Sequence, residues 1–499
     1  MPNTYAGHHA PPGVPRASPV TRHAWVKLDN ASNIFLAARS ASDPKVFRLA
    51  AELDHEVDPD VLQDALDLTH ERYPLYRAVL RAGVFWYYLQ DSDLRPEATE
   101  EDLPTCWAIY RPNRRNLLFR VSHHRRRINL EVFHALSDGT GALWFLSDLV
   151  DAYVRLQHPE LYEPPQPAPT AVDHGVDTAH TTHTAHTDDG DQAGTPARGL
   201  IGDSFAHYFR RRPASGTETE FGEAAAVELE SDLPPAPPPR WQVGRLLRPA
   251  VGVHRVRGTR TPDNRTRALE LTMPAKDVLA LARAEQVSMT IYLTGLFFEA
   301  IRLSAGDLGT SRTLAASVPV NLRQFFPSTS ARNFFAAVRV THTYGAGAND
   351  DLASICRHLE AEFRRKVTPQ ALERMLRRRI QFEKSPALRV VPRPIKDLLL
   401  GMINSAYNRR LTVAVSNLGR ATLPEAARAH TGRMVFHVSA ARPQFCAISH
   451  AGQLTISFTS PFTETEHVKE FARMLTARGV AVTVGAARVT EDELAAVTS

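Results

Sequence analysis

The chain has 499 residues, which is long for a single hydrophobic core and predicts two or three domains. Hydrophobic residues make up 43% of it, and no apolar run is long enough to cross a membrane, so we expect a globular protein without a transmembrane segment. The net charge of +5 is only moderately basic, the arginines are dispersed, and no helix-turn-helix, zinc-ligand or basic–aromatic motif accompanies them, which argues against nucleic-acid binding.

The N-terminal segment and the cysteines indicate the cellular compartment. Residues 1–22 are rich in Pro, His and Gly and lack an apolar signal core, so they are predicted to form a disordered tail. The cysteines Cys106, Cys356 and Cys446 are far apart and have no metal-ligand spacing, which is typical of a reducing compartment. We therefore expect a cytoplasmic protein.

Residues 23–160 are predicted to form an N-terminal lobe of mixed strands and helices. Phe47–Leu53 predicts a strand, and Asp58-Pro59 then starts a helix, with the carboxylate as its cap and proline in its first turn. Leu75–Leu80 and Val84–Leu89 predict a hairpin that turns at Arg81–Gly83. Phe119–Ser122 and Ile128–Val132 alternate apolar and polar residues, which predicts two half-buried strands joined by the charged turn 123–127.

The segment after these strands carries the strongest candidate for chemistry, His134-Ala-Leu-Ser-Asp138-Gly139. An imidazole with a pKa near neutrality can take a proton from an alcohol or amine as that group attacks a carbonyl. The motif itself is weak, because about one His-x-x-x-Asp is expected by chance in this composition. Its setting is stronger: His134 follows a predicted strand, and Asp138 precedes leucines, valine and tyrosine at helical spacing.

Residues 161–245 differ in composition and are predicted to be a mostly disordered insert. Proline clusters at 164–169 and 234–239 enclose a Thr/His/Asp-rich stretch that cannot bury much apolar surface. His180, His183 and His186 allow a metal-binding interpretation, but a repetitive surface linker is the more ordinary one. Within the insert, 203–209 is expected to form a short helix that docks on a lobe.

Residues 246–499 are predicted to form a C-terminal lobe. Alternation predicts a strand at Ala268–Thr272, followed by a helix at Ala275–Ala284 and a helix capped by Ser288. Further strands are expected at Thr313–Val318 and at Thr412–Val415, the latter leading into Ser416-Asn417-Leu-Gly419. An arginine-rich amphipathic helix carries Arg374 to Arg379, a hairpin turns at Ala451-Gly452, and a final helix spans about 464–477.

Together these segments resemble the chloramphenicol acetyltransferase-like superfamily of acyltransferases, nearest to its alcohol acetyltransferase, polyketide-associated and condensation-domain members. The resemblance covers nearly the whole chain outside the tail and insert, and it depends on four segments in the family's order. They are Arg72-Tyr-Pro-Leu-Tyr-Arg77, the His134–Gly139 motif, Pro319-Val-Asn-Leu-Arg323 with Asn333-Phe-Phe335, and Ser416–Gly419. None of the four is specific alone; their order is what carries the resemblance.

The resemblance implies a mixed α/β fold of two lobes, each a mixed sheet flanked by helices, with an active-site channel between them. His134 would be the general base, Gly139 would complete the catalytic motif, and Asp138 would support the loop through an ion pair with Arg323. Such a pair keeps the carboxylate away from the imidazole and leaves the histidine neutral. Ser416 or Asn417 would contact the oxyanion or the donor, with the capping of a strand end as the equally weighted alternative.

The implied reaction transfers an acyl group from an acyl-CoA or carrier-bound thioester to an alcohol acceptor. An amine acceptor is a close variant, and an acyl carrier protein is a possible partner. We expect no metal at the site and no tightly bound cofactor, with acyl-CoA as a co-substrate. Phe133 stands where condensation domains usually have a second histidine, and the glycine motif of plant members is absent, which favours a free-standing O-acyltransferase. A noncatalytic binding module of the same fold is the remaining alternative.

Overall fold

Two mixed β-sheets organise the chain in the computed structural model, as the sequence predicted. The structure describes residues 25–28, 30–112, 114–162, 204–209, 252–261, 264–309, 312–345, 350–383 and 391–486. The predicted tail at 1–22 and the predicted insert at 161–245, apart from its first two residues and the short helix at 204–209, lie outside the described residues.

The first lobe is built on a five-stranded sheet. Its strand order is β12-β2-β7-β6-β5, antiparallel except for the parallel pair β5 and β6. The strands are β2 (Val46–Leu53), β5 (Ala98–Glu100), β6 (Phe119–His124), β7 (Arg127–Phe133) and β12 (Thr431–Val438). A smaller three-stranded sheet beside it contains β1 (Trp25–Lys27), β3 (Val79–Ala82) and β4 (Tyr87–Gln90).

Three helices belong to the first lobe: α1 (Asn30–Ala38), α2 (Pro59–Arg72) and α3 (Gly139–Gln157). The predicted cap of α2 is confirmed, since the Asp58 carboxylate accepts hydrogen bonds from the backbone N–H groups of Asp60 and Val61. Helix α3 packs against α2 and against β2 and β7, and this contact buries its apolar face. The first hydrophobic core lies between these helices and the sheet.

One strand of the first sheet comes from the far end of the chain. β12 lies within residues 246–499 but pairs antiparallel with β2, with Phe436 opposite Leu49. The short helix α10 (Glu425–His430) precedes it and packs against α3. The segment 246–499 therefore supplies part of the first lobe as well as the second, and the two lobes are interlocked.

The second lobe is built on a seven-stranded sheet with the order β10-β9-β11-β13-β14-β8-β15. Its central pairs β9–β11 and β11–β13 are parallel and the others are antiparallel. The strands are β8 (Arg267–Pro274), β9 (Thr313–Asn321), β10 (Phe335–Thr343), β11 (Val413–Arg420), β13 (Gln444–His450), β14 (Gln453–Ser460) and β15 (Thr483–Ala486). Arg127 of β7 and Glu270 of β8 join the sheets through a 2.9 Å ion pair.

The following helices lie in the second half of the chain. They are α5 (Ala275–Ala284), α6 (Met289–Ala305), α7 (Leu352–Lys366), α8 (Pro369–Glu383), α9 (Arg393–Asn408) and α11 (Glu466–Thr476). The Ser288 hydroxyl caps α6 by accepting from the Ile291 N–H, as predicted. Helix α9 packs on α1 of the first lobe. Among the described helices, none is both long and apolar enough to span a bilayer.

The short helix predicted within the insert is present as α4 (Ser204–Phe209). It docks on α8, where Phe205 and Phe209 join Phe334 in a third apolar cluster. The other members of this cluster include Leu372, Leu376 and Ile380 of α8.

Some predicted boundaries were wrong. The charged turn expected at 123–127 consists only of Arg125-Arg126, since β6 continues to His124 and β7 already begins at Arg127. Arg125 adopts a φ of 50°, which closes the turn. Residues 75–77 belong to a 3-10 turn, Pro74–Arg77, before β3 begins. β11 does not stop at Val415 but continues through Ser416–Gly419, with its register to β13 shifting between Asn417 and Arg420.

Candidate active site

The backbone of His134 is fixed from both sides directly after β7. Its N–H donates to the carbonyl of Lys45 at 2.8 Å, and its carbonyl accepts from Nδ2 of Asn333 at 2.7 Å. Asn333 is buried and also donates to the hydroxyl of Ser32 at 2.8 Å. Because Asn333 belongs to the second lobe, both lobes determine where the histidine lies.

The imidazole of His134 lies among aromatic rings. Phe35 stacks on it with ring centroids 4.0 Å apart and planes at 11°, while Phe47 meets it edge-on at 5.0 Å and Phe335 lies at 5.7 Å. Its Nδ1 is buried and has no hydrogen-bond partner among the described residues. Burial lowers the pKa of His134 below its usual 6.5, so the ring is neutral at pH 7 and able to accept a proton.

All the hydrogen bonds of the Asp138 carboxylate go to groups other than the imidazole. Oδ1 accepts from the N–H of Gly141 at 2.9 Å and thereby caps α3. Oδ2 accepts from Nη1 of Arg323 at 2.7 Å and from the N–H of Phe334 at 2.8 Å. Asp138 is 4% exposed, so a buried charge is matched by a guanidinium and two amide donors.

Arg323 extends this contact into the second lobe. It lies in the 3-10 turn Leu322–Gln324 directly after β9. Its Nη2 donates to the carbonyls of Ser330 and Arg332, at 2.8 and 2.7 Å. The guanidinium therefore connects the N-terminus of α3 to the segment that leads into β10, and the ion pair bridges the two lobes.

Other segments approach the start of α3 closely, so that a side chain at Gly141 would meet backbone and one at Gly139 would require the Leu418 side chain to move. A Cβ on Gly139 would lie 2.7 Å from Cδ2 of Leu418, and one on Gly141 would overlap the carbonyl oxygen of Ala331. Ala331 and Leu418 are both in the second half of the chain. The Gly-x-Gly sequence therefore permits the lobes to meet next to His134.

A large cavity lies between the lobes, and His134 is in its wall. It has a volume of about 2120 Å³. The first lobe contributes Phe35, Lys45, Phe47 and Thr140, and the second contributes Ser317, Asn321, Phe335 and the segment Ser416–Gly419. Apolar residues of α9, among them Leu399, Leu400 and Ile403, line another part of the wall. Among the described residues, the wall thus offers one histidine, several hydroxyl and amide groups, much apolar surface, and charged side chains that include Arg393, Lys396 and Arg442.

The structure distinguishes the two residues predicted to contact the oxyanion or donor. Asn417 donates from Nδ2 to the Thr290 hydroxyl at 3.0 Å, and its Oδ1 accepts from the N–H of Gly419 at 2.8 Å. These bonds hold the irregular end of β11 in place. Ser416 lies in the same wall, and its hydroxyl has no hydrogen-bond partner among the described residues, so it is the better placed of the two to meet a ligand.

Sequence reasoning missed two residues next to the histidine. Phe35 supplies the stacking ring, and Lys45 supplies the carbonyl that accepts from His134. Lys45 has a φ of 60°, in the left-handed region that non-glycine residues seldom adopt. The turn-forming residues Ser40 to Pro44 before it were the available signal.

The neighbouring residues Phe334 and Phe335 have different surroundings, and of the two only Phe335 lines the cavity. Phe334 is fully buried and faces the α4 helix, with its ring 5.1 Å from that of Phe205. The two side chains diverge because consecutive residues at the start of a strand point to opposite faces of the sheet.

No protein-family model and no curated protein matches the sequence, but solved structures share the fold over nearly its full length. Polyketide synthase associated protein 5 from Mycobacterium tuberculosis aligns with a TM-score of 0.53 and 14% identity, covering 90% of this chain and 96% of that one. TRI3 trichothecene 15-O-acetyltransferase from Fusarium sporotrichioides gives 0.55 and 11%, covering 95% and 100%.

A third solved structure contains ligands. The TRI101 protein of F. graminearum, complexed with coenzyme A and T-2 mycotoxin, aligns with a TM-score of 0.52 and 10% identity, covering 92% of this chain and 99% of that one. At these identities the comparisons show the fold and not the reaction. The predicted two-lobed architecture of mixed sheets flanked by helices is confirmed.

Proposed function

From the two-lobed fold of chloramphenicol acetyltransferase-like acyltransferases, we propose that this chain transfers an acyl group from a thioester to an alcohol, with His134 as general base. One observation carries the proposal. His134 lies in the wall of the interlobe cavity, while all the hydrogen bonds of the nearby Asp138 carboxylate go to Arg323 and to backbone N–H groups. A base therefore faces the space where two substrates can meet.

The protonation state of His134 supports this role. A general base must be unprotonated at the operating pH. The aromatic surroundings and burial lower the pKa of His134, and the carboxylate that would oppose this effect is neutralised by Arg323. The site therefore holds a neutral imidazole at pH 7.

The proposed reaction proceeds in two steps. His134 takes the proton of the acceptor hydroxyl as its oxygen forms a bond to the thioester carbonyl carbon, giving a tetrahedral oxyanion. The carbon–sulfur bond then breaks, and the imidazolium returns the proton to the departing thiolate. The products are an ester and a free thiol, and the histidine is restored to its neutral form.

Stabilisation of the oxyanion is assigned to Ser416. Removing one such donor typically costs about 10²–10³ in kcat, because the donor acts in a site from which water is excluded. Asn417 has a supporting role instead, since its side-chain amide donates to the Thr290 hydroxyl and accepts from the N–H of Gly419.

The dimensions of the cavity support a large pair of substrates. Its volume of about 2120 Å³ exceeds the roughly 300–1,000 Å³ typical of sites for one small ligand. An acyl-CoA or a carrier-bound acyl group together with an acceptor fits this size. The apolar residues of α9 favour an apolar acyl chain or a bulky apolar acceptor.

A thiol-release assay tests the proposal. Purified protein is incubated with acyl-CoA donors of increasing chain length and with a panel of alcohols and amines, and free thiol and acylated product are both quantified. Ester formation supports the O-acyltransferase. Amide formation would identify the amide-forming, condensation-type alternative. Binding of donor without turnover of any pair would indicate a noncatalytic member of the fold.

A further inference from the structure

Three histidines lie together at the end of α3 that is remote from His134. His55 follows β2, His158 directly follows α3, and His430 is the last residue of α10. Each offers a ring nitrogen, and these nitrogens lie within 4.8 Å of one another. The three residues are far apart in sequence, and the fold alone brings them together.

A carboxylate contacts Nδ1 of every ring in this cluster. Asp54 reaches two of them, with Oδ1 2.6 Å from Nδ1 of His55 and Oδ2 3.0 Å from Nδ1 of His430. Glu160 lies 3.2 Å from Nδ1 of His158. These contacts leave Nε2 of each ring for another partner, and Nε2 of His55 is buried without one among the described residues. Carboxylates on the opposite ring nitrogen are the usual support of metal-binding histidines.

The backbone around the cluster is fixed by hydrogen bonds. The N–H of Asp54 donates to the carbonyl of His430 at 3.1 Å, which ties the end of β2 to the start of β12. The N–H of His158 donates to the carbonyl of Val154 at 2.8 Å, as the last bond of α3. The side chains are therefore presented by three anchored segments.

The rings are close to, but not in, a chelating arrangement. His158 and His430 stack, with centroids 4.3 Å apart and planes at 9°. The lone pair of a ring nitrogen lies in the ring plane, so parallel rings cannot direct both lone pairs at one ion. His55 already lies edge-on to both of the other rings, at 77° and 72°. Binding of a shared ion therefore requires one of the two stacked rings to rotate about its side-chain bonds.

We propose that His55, His158 and His430 bind one divalent transition-metal ion, Zn²⁺, through their Nε2 atoms, with water as the fourth ligand. Imidazole is a preferred ligand for zinc, and three histidines with an open fourth position form a recognised tetrahedral set. The three side chains are between about one-fifth and one-third exposed. The ion joins β2, α3 and the crossing segment α10–β12.

The metal has a structural role. Helix α3 has 19 residues, which corresponds to about 28 Å between the cluster and Asp138 at its other end. An ion at this distance does not touch the substrates. It fastens the C-terminal segment that crosses into the first lobe. The site is therefore independent of the proposed acyl transfer, and its test does not use activity.

The test is a thermal unfolding series with Zn²⁺ on the full chain, after treatment with a chelator. The metal content alone is not diagnostic, because the sequence contains other histidines at 180, 183 and 186. Zn²⁺ should raise the Tm of the wild type and have no such effect on His158→Gln or His430→Gln. The variant His124→Gln changes an exposed histidine of the β6–β7 hairpin and should keep the full rise.

A supporting variant tests the carboxylate that contacts two rings. Asp54→Asn should weaken Zn²⁺ binding by about 10–100-fold, measured as the shift of the Zn²⁺ concentration that gives half of the Tm rise. A wild type whose Tm does not respond to Zn²⁺ would overturn the proposal. A rise of Tm with Zn²⁺ in His158→Gln and His430→Gln equal to that of the wild type would also overturn it. The three histidines would then be paired with carboxylates and would not bind the metal.

Discussion

Nη1 of Arg323 lies 2.7 Å from Oδ2 of Asp138, and both side chains are more than nine-tenths buried. The pair joins the N-terminus of the helix that follows His134 to the second lobe. Removal of one partner leaves an uncompensated charge, which typically costs about 3–5 kcal/mol. Asp138→Asn should therefore lower the free energy of unfolding by about that amount, measured by denaturant titration.

A double-mutant cycle separates this pair from general destabilisation. Asp138→Asn combined with Arg323→Gln should cost less than the sum of the single variants, because the two residues contact each other directly. The partly exposed pair Arg377–Glu373 on α8 is a matched control, and Glu373→Gln should cost less than about 1 kcal/mol. A native free energy of unfolding in Asp138→Asn would show that the ion pair does not hold the lobes.

Gly141 is expected to tolerate no side chain. A methyl group there would overlap the carbonyl oxygen of Ala331 and crowd the hydroxyl of Ser137. Overpacking of this kind usually costs about 1–3 kcal/mol. Gly141→Ala should show this loss, together with reduced acyl transfer because the lobes separate next to His134. In Gly485→Ala the added methyl meets only ordinary contacts, the nearest at 3.7 Å, so stability should change little.

The pH dependence of the reaction should report the environment of His134. Burial lowers the pKa of this histidine below 6.5, and the protonated ring cannot act as a base. Activity should therefore fall as the pH decreases through an apparent pKa below 6.5. Phe35→Ala removes the stacked ring and admits water, so the pKa should rise and the loss of activity should begin at a higher pH.

Phe85→Ala serves as the control for the pH profile. Phe85 also lines the cavity. Among the described residues its ring does not contact His134, so the pH profile of activity should keep its wild-type position. If Phe35→Ala leaves the acidic limb unshifted, the stacked ring does not determine the protonation of the histidine.

The docked helix α4 is expected to stabilise the second lobe independently of the segment before it. Phe205 is buried against Phe334 and α8. Phe205→Ala should lower the free energy of unfolding by at most about 3–5 kcal/mol, since the short helix can detach instead. His207→Ala, on the exposed side of α4, is the matched control for Phe205→Ala.

Replacement of residues 165–200 by a Gly/Ser linker should leave Tm and turnover unchanged.

Local patterns predicted much of the fold. The cap at Asp58, the cap at Ser288 and the hairpin at Ala451-Gly452 were identified because each depends on neighbouring residues only. The pairing of β12 with β2 was not predicted. It joins residues from opposite ends of the chain, and the alternation of a strand does not specify its partner.

The candidate site was predictable where a motif resembled a family and not where tertiary contacts create it. The pairing of Asp138 with Arg323 came from the resemblance, and the structure brings the two residues together. Phe35 and Lys45 belong to no motif and contact His134 only after folding. The cluster of His55, His158 and His430 was invisible for the same reason, since their spacing matches no metal-ligand pattern.

The most direct test is the thiol-release rate of His134→Ala with the best donor and acceptor pair. We expect a loss of about 10²–10⁴ in turnover with a wild-type Tm, because a general base contributes about that factor. His124→Ala, an exposed histidine ten residues earlier, should keep the wild-type rate. Wild-type acyl transfer by a folded His134→Ala variant would contradict the assignment of His134 as the base.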